Sequence, residues 1–202
     1  MASTRTAVRT HLVALRAMLL FTLVLGIAYT MLITGIGQLA LPAQANGGMV
    51  ASGGEVVGSS LIGQSFTDVD GNPLPEYFQS RPSAAGDGYD GGASSGSNYG
   101  PENADLTAAI EERRTQVAEF NGIAPDDVPA DAVTASASGL DPHISPAYAQ
   151  LQIQRVAEAR GLSADDVRAL VTSFTQAPDL GYLGQSTVNT LRLNIALDNL
   201  GH

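Results

Sequence analysis

Residues 17–37, AMLLFTLVLGIAYTMLITGIG, run for 21 positions without a charge, and Arg5, Arg9 and Arg16 all precede them. A helix advances about 1.5 Å per residue, so this run matches the ~30 Å hydrocarbon core of a bilayer. The chain is therefore expected to cross a membrane once. Basic residues stay on the cytoplasmic side, which predicts a cytoplasmic tail over 1–16, a transmembrane helix over 17–38 and an extracytoplasmic domain over 39–202. The rival reading is a cleaved secretory signal, with Ala43-Gln44-Ala45 as the cleavage site. Signal cores are about 7–15 residues long, and Leu39, Leu41 and Pro42 extend the apolar character beyond this longer run, so an uncleaved anchor fits better. Gly26, Gly35 and Gly37 are small residues of the kind that let a second membrane helix approach, and glycine is also simply common in such helices.

Charge then narrows what the outer domain can bind. The chain has 10 basic and 20 acidic residues; setting aside the three N-terminal arginines leaves 10 − 3 = 7 against 20, a formal charge of about −13. Nucleic acid is not an expected partner. There is no cysteine and no lysine, which rules out disulfides, thiol catalysis and thiolate metal sites. The absence of Trp and the 5% aromatic content make the expected core lean.

The outer domain divides by composition. Residues 47–101 are rich in Gly, Ser, Pro and Asn, and residues 102–202 read as helices joined by short turns. Within the first part, VVGSSLIG at 56–63 predicts one or two short strands. Phe66, Leu74, Tyr77 and Phe78 are apolar anchors for a loop, and residues 83–99 have the composition of a linker. In the second part, Leu106, Ile110, Val117 and Phe120 predict a helix capped by Asn103 or Asp105. Ser145-Pro146 opens another that Gly161 ends, with Ala149, Ile153, Val156 and Ala157 on one face. Ser163 with Asp166 starts a third, carrying Val167, Leu170, Val171 and Phe174 as its core stripe. A last helix is expected over 186–200; its apolar band of Val188, Leu191, Leu193, Ile195 and Leu197 is too wide for one face, which implies burial on two sides or against a partner. The expected fold class is α+β: one transmembrane helix, then a mainly helical domain with a few short strands and long Gly/Ser-rich loops.

No Gly-Lys-Ser/Thr follows either glycine cluster, so no nucleotide cradle is expected. The helix–turn–helix around Gly161-Leu162-Ser163 is not read as DNA-binding, because charge and topology oppose it. Asp141 and His143 supply two metal-ligand types, but His11 and His202 sit at the far ends of the chain, and a structural turn is the better reading. Ser145 lies near His143 yet lacks a Gly-x-Ser-x-Gly elbow and already serves as a helix cap. Asp126-Asp127 and Asp165-Asp166 read as solvated charges favoured at helix starts. No catalytic residue, cofactor or metal is expected.

Longer strings carry a resemblance. GSSLIGQSF at 58–66, YFQSRPSA at 77–84, SGSN at 95–98, VTASASGLDPHISP at 133–146, QRVA at 154–157, ARG at 159–161, and VN with LNIALD towards the end stand in one order. Together they resemble the C subunit family of the bacterial Kdp-type potassium-transporting P-type ATPase, over about nine tenths of the chain. Ser95-Gly96 stands where that family more often has Gly-Gly, and Tyr99 where it tends to have leucine or a small residue.

The resemblance implies an accessory subunit that is not an enzyme by itself. Its partners are a channel-like subunit that carries potassium, an ATP-hydrolysing P-type pump subunit, and the lipid bilayer. The outer domain is implied to pack near the outer entrance of the channel-like subunit and to support assembly and stability, with the 83–99 loop ordered by neighbours. An effect on the pump's ATP affinity, proposed for the family, is expected only indirectly, since an acidic domain across the membrane from the nucleotide cannot hold it. Structural or interfacial roles are implied for Gly63, Gln64 and Phe66; for Tyr77, Phe78, Arg81, Pro82 and Ser83; for Ser97 and Asn98; for Ser136, Ser138, Gly139, Asp141 and His143; and for Gln154, Arg155, Asn189 and Asn194. Arg81 and Arg155 stand out because basic groups are scarce, so each is expected to pair with carboxylates or carbonyls. The alternatives are a free-standing anchored binding module and an extracytoplasmic hydrolase using Ser145 or His143.

Overall fold

The computed structural model describes residues 4–200; the first three residues of the expected tail and the last two of the expected outer domain lie outside the described residues. The chain divides into two units, meeting at Gly48.

The first unit is one long apolar helix. It runs as α1 (Thr4–Phe21), a π-helical stretch (Thr22–Tyr29) and α2 (Thr30–Ala40). Helix therefore begins well before the uncharged run. Within the span Thr6–Ala40, the most apolar 18-residue window has a mean hydropathy of 2.2 and none of it is buried. Leu19, Leu20, Phe21, Met31 and Leu32 are all more than half exposed, a surface that water does not tolerate and hydrocarbon does. Just past the π-helical stretch the Thr30 hydroxyl donates five residues back into it, to the Leu25 carbonyl at 3.4 Å. A short α3 (Pro42–Ala45) follows, tied back where Asn46 and Gln38 exchange amide hydrogen bonds of 3.0 and 3.3 Å.

The second unit is α+β. Strands β1 (Met49–Ser52) and β2 (Glu55–Ser59) form an antiparallel hairpin. Its two-residue turn, Gly53-Gly54, has φ of 60° and 89°, the left-handed pair that closes a hairpin with the natural strand twist. Only part of the expected 56–63 strand region is strand; Leu61, Ile62 and Gly63 lie beyond the end of β2 and turn away. No helix or strand element follows until α4 (Ala104–Asn121), whose Asn103 cap accepts from the Asp105 and Leu106 N–H groups and which ends at left-handed Gly122. A 3-10 turn (Pro125–Asp127), α5 (Ala130–Val133) and β3 (His143–Ile144) lead to α6 (Pro146–Leu151) and α7 (Ile153–Arg160). Then come α8 (Ala164–Phe174), β4 (Thr175–Gln176), β5 (Thr187–Asn189) and α9 (Thr190–Leu200). The small sheet is antiparallel in the order β3-β5-β4.

Two helix expectations need correction. The helix opened by Ser145 is divided at Gln152, whose N–H bonds only three residues back, to the Ala149 carbonyl, while its side chain is fully buried among polar partners. The last helix starts at Thr190, not 186, because residues 187–189 pair with β3 and β4 on both sides. That same change accounts for the wide apolar band: Val188 belongs to the sheet, Leu193 and Leu197 join the core, and Leu191 reaches towards Gly58 of the hairpin. The core is formed by Phe78, Val156, Val167, Val188, Leu193 and Leu197, all without exposed surface, with Ala149, Ile153 and Val171 around them.

Candidate functional site

The segment from Pro75 to Ala85 has no regular hydrogen-bonding partner strand or helix, yet Phe78 and Ala85 are fully buried. Buried backbone groups must be paired, and here side chains from distant elements do the pairing. Asn194 of α9 accepts from the Phe78 N–H and donates to its carbonyl, both at 2.9 Å. Gln152 accepts from the Gln79 N–H at 2.7 Å and donates to its carbonyl at 3.2 Å. The Gln79 amide in turn donates to the carbonyls of Phe66, Leu74 and Tyr77, and the Phe66 and Tyr77 rings lie 5.5 Å apart.

Arg155 on α7 anchors the upstream half of this segment. Its guanidinium donates to the carbonyls of Pro75 and Tyr77, to Asn121 Oδ1 at 2.9 Å and to Gln152 Oε1 at 2.7 Å, and it lies 4.4 Å above the Phe120 ring. Burial pulls its pKa down to about 10, still far enough above neutrality for it to stay charged. The expected carbonyl partners are present, and amide oxygens take the place of carboxylates. Arg160 adds a similar contact one turn on, donating to the Glu76 carbonyl and to Asp198 and lying 4.7 Å from the Tyr77 ring.

Arg81 closes the other half. It pairs with Asp141 at 2.9 Å and donates to the Thr134 carbonyl. Burial pushes the Asp141 carboxyl up, but hydrogen bonds from the His143 side chain and N–H, with the charge of Arg81, outweigh it and leave the pKa below the ordinary 3.8. Ser83 donates to the Gly139 carbonyl at 2.6 Å and accepts from the N–H groups of Ala85 and Tyr89. The Gly63 N–H meets the Leu140 carbonyl, and Ser94 and Ser95 both bond the Ser138 carbonyl. At Gly139, φ is +68° and an added Cβ would lie 2.6 Å from the Ser95 carbonyl oxygen and 2.8 Å from the Ala85 nitrogen. Only glycine fits there.

Most of the residues singled out in the sequence thus meet in one brace. Gly63, Ser83, Ser138, Gly139, Asp141 and Arg81 join three loops, while Phe78, Arg155 and Asn194 join a loop to two helices. Gln64 ties the brace to the hairpin through the Val57 carbonyl, and Asn189 does so through the Ser60 carbonyl. Ser136 lies 3.4 Å from Ser138, hydroxyl to hydroxyl. Three positions stand apart. Gln154 is exposed and bonds Glu158, and Ser97 and Asn98 are exposed, Asn98 with a φ of 56°. Ser145 caps α6 by accepting from Tyr148 N–H and donates to Asp131 at 2.9 Å, so its hydroxyl is committed to structure. Among the described residues no three His, Asp or Glu side chains gather as a metal site.

Sequence reasoning passed over Gln152, Gln79 and Asn121, which complete the clamps. Gln152 sits between the apolar positions Ala149 and Ile153 on the α6–α7 face; a polar residue at core spacing is the signal that was available. A cavity of about 450 Å³, lined by Arg81, Pro82, Tyr89, Arg113, Phe120 and Tyr148 among others, opens beside the brace. The Tyr89 hydroxyl donates to the Arg81 carbonyl, and burial pushes its pKa up to about 12.

An apolar helix long enough to cross a bilayer, leading into an α+β domain braced by its own buried polar side chains, is the build of a single-pass membrane protein. Comparison with known proteins gives the family. The family described as KdpC, the c chain of the K+-transporting ATPase, matches residues 11–199, and the chain belongs to it. A potassium-transporting ATPase KdpC subunit of Kineococcus radiotolerans is 53% identical over 180 residues, covering 89% of this chain and 88% of that protein. The KdpC subunit of Mycobacterium tuberculosis strain H37Rv is 50% identical over 193 residues, 95% and 99% respectively. That of Caulobacter vibrioides is 53% identical over 187 residues, 92% and 90%.

Proposed function

We propose that this chain is a non-catalytic accessory subunit of an ATP-driven potassium uptake complex, and that it supports assembly and stability of the channel-like and pump subunits. The observation that carries this reading is the joining of a long apolar helix, none of whose most apolar window is buried, to a domain in which the family-matching residues are spent on bracing one another. Arg81, Asp141, Arg155 and Asn194 are bound to internal groups, which is what a rigid docking body needs. The basic residues ahead of the uncharged apolar run support a cytoplasmic start of the chain and an extracytoplasmic acidic domain. Exposed Gln154, Ser97 and Asn98, which lie in matching strings but outside the brace, are the positions offered to a partner. Any influence on the pump's ATP affinity then acts through the assembled complex.

Purification in mild detergent by a C-terminal tag tests the assignment. A channel-like subunit and a P-type ATPase recovered in near-equal amounts are expected. Elution of the chain alone, under conditions that preserve other membrane complexes, would move the weight to an independent anchored binding module.

A further inference from the structure

The cavity against α4 shares Gln79, Arg81, Ser83 and Asn121 with the brace. Its wall combines apolar surface from Val117, Phe120 and Pro82 with the polar ends of Arg113 and Tyr148. Arg81, Arg114, Arg160 and Arg168 each pair with a carboxylate. Arg155 has no carboxylate partner among the described residues but is held by four carbonyl and amide oxygens. Arg113 instead makes a single hydrogen bond, to the Val133 carbonyl at 3.2 Å, and no carboxylate is in ion-pair range among the described residues. Tyr148 is only 3% exposed, and its hydroxyl has no hydrogen-bond partner among the described residues; Ser145 engages its backbone N–H alone. Among the described residues the side-chain atoms shut from solvent without a partner are Arg114 Nε and Thr190 Oγ1, so the unpaired Tyr148 hydroxyl keeps accessible surface in the cavity it lines. Burial also raises the Tyr148 pKa, so the group remains a donor. The one carboxylate in the cavity wall, Asp87, lies on an exposed turn.

We propose that this cavity binds a carboxylate with an apolar body, one oxygen accepting from the Arg113 guanidinium and the other from the Tyr148 hydroxyl. Charge-assisted bonds from arginine to a carboxylate are the strong class of such contacts. A single unpaired guanidinium matches a single negative charge, and the domain's excess of acid disfavours ligands carrying more. Val117 and Phe120 supply the apolar wall, and about 450 Å³ falls within the usual range for small-ligand sites. The carboxylate belongs either to a free small organic acid or to an Asp or Glu side chain of a neighbouring polypeptide. The site is complete within this chain, so the inference does not depend on the proposed assembly role.

Equilibrium dialysis of radiolabelled phenylacetate against the full-length chain in detergent is the test. Saturable binding of one equivalent is expected, in the millimolar range typical of so small a ligand. Unlabelled phenylacetate should displace it and the neutral phenylacetamide should not. Arg113→Gln and Tyr148→Phe should each weaken binding by about tenfold or more with the circular dichroism melt retained; should one variant fail to fold, the other carries the comparison. Absence of saturable binding, equal competition by the amide, or binding unchanged in the folded variants would overturn the proposal. Repeating the dialysis on the co-purified complex separates the sources: loss of binding there means a partner's carboxylate already fills the cavity, and retention means a free acid is the ligand.

Discussion

Asn194 and Phe78, 116 positions apart, exchange two hydrogen bonds: the Phe78 N–H donates to Asn194 Oδ1 and the Asn194 amide donates to the Phe78 carbonyl, each at 2.9 Å. A side-chain amide here does the work of a neighbouring strand. It lets an irregular segment pass through the core with its backbone groups satisfied.

Replacing Asn194 with Leu keeps the size but leaves a buried N–H and a buried carbonyl unpaired. At about 1–3 kcal/mol for each orphaned group, the variant should lose about 2–5 kcal/mol, read from urea unfolding of the full chain in detergent. A loss below about 1 kcal/mol would mean that water or a backbone shift rescues both groups.

Arg155→Lys keeps the charge and removes the planar fork. An ammonium cannot reach the carbonyls of Pro75 and Tyr77 together with Asn121 and Gln152 while covering the Phe120 ring. A destabilisation of about 2–4 kcal/mol is expected, with faster amide hydrogen exchange over residues 75–79. Unchanged exchange there would show that the guanidinium is not what holds the segment.

Acid should weaken the brace through Asp141. Its folded pKa lies below the ordinary 3.8, so the unfolded chain takes up the proton first on acidification. The stabilisation is complete above about pH 4 and is lost as the pH falls through the lowered folded value. Asp141→Asn should show a lower plateau of stability near neutrality and a shallower acid limb in pH-dependent unfolding. An acid limb identical to that of the parent would place the dependence on another carboxylate.

Two glycines with nearly equal backbone angles should respond differently. Gly139 has φ +68° and no room for a Cβ, whereas Gly161 has φ +66° and nothing within 4 Å. Gly161→Ala should cost about 1 kcal/mol from the left-handed backbone alone. Gly139→Ala should cost at least about 2 kcal/mol more, from the clash with Ser95 and Ala85, and should loosen the Ser95 amide in hydrogen exchange. Equal thermal shifts for the two would show that the 83–95 loop yields freely.

Ser145→Ala tests whether this serine is structural. It removes a helix cap and leaves Asp131 short of one donor, so a loss of about 1–2 kcal/mol is expected, measured by thermal melting. A variant as stable as the parent would reopen the question of what the hydroxyl does.

The long apolar helix, the caps at Asn103, Ser145 and Ser163, and the glycine stop at Gly161 were legible in the sequence, because each rests on contacts between residues a few positions apart. The family strings likewise marked Arg81, Asp141, Arg155 and Asn194 as a set, without saying what any of them touches. Local pattern misread the rest where long-range pairing intervenes. Residues 186–189 have helical spacing, yet 187–189 become strand because β3 and β4 flank them. The α6–α7 helix reads as continuous but breaks at Gln152, whose side chain serves Gln79 from 73 positions away. Residues 83–95 have a linker's composition, and the partners that hold them, Ser138 and Gly139, are more than 40 positions downstream. Sequence by itself determined where the chain enters apolar surroundings and which residues cap the helices opening after Asn103, Ser145 and Ser163, since charge, hydropathy and capping act locally. Only the tertiary structure decided which polar side chains satisfy the irregular backbone and which, like Tyr148 and Arg113, are left facing a cavity, because hydrogen-bond satisfaction in a buried core depends on neighbours that the chain brings together only once it has folded.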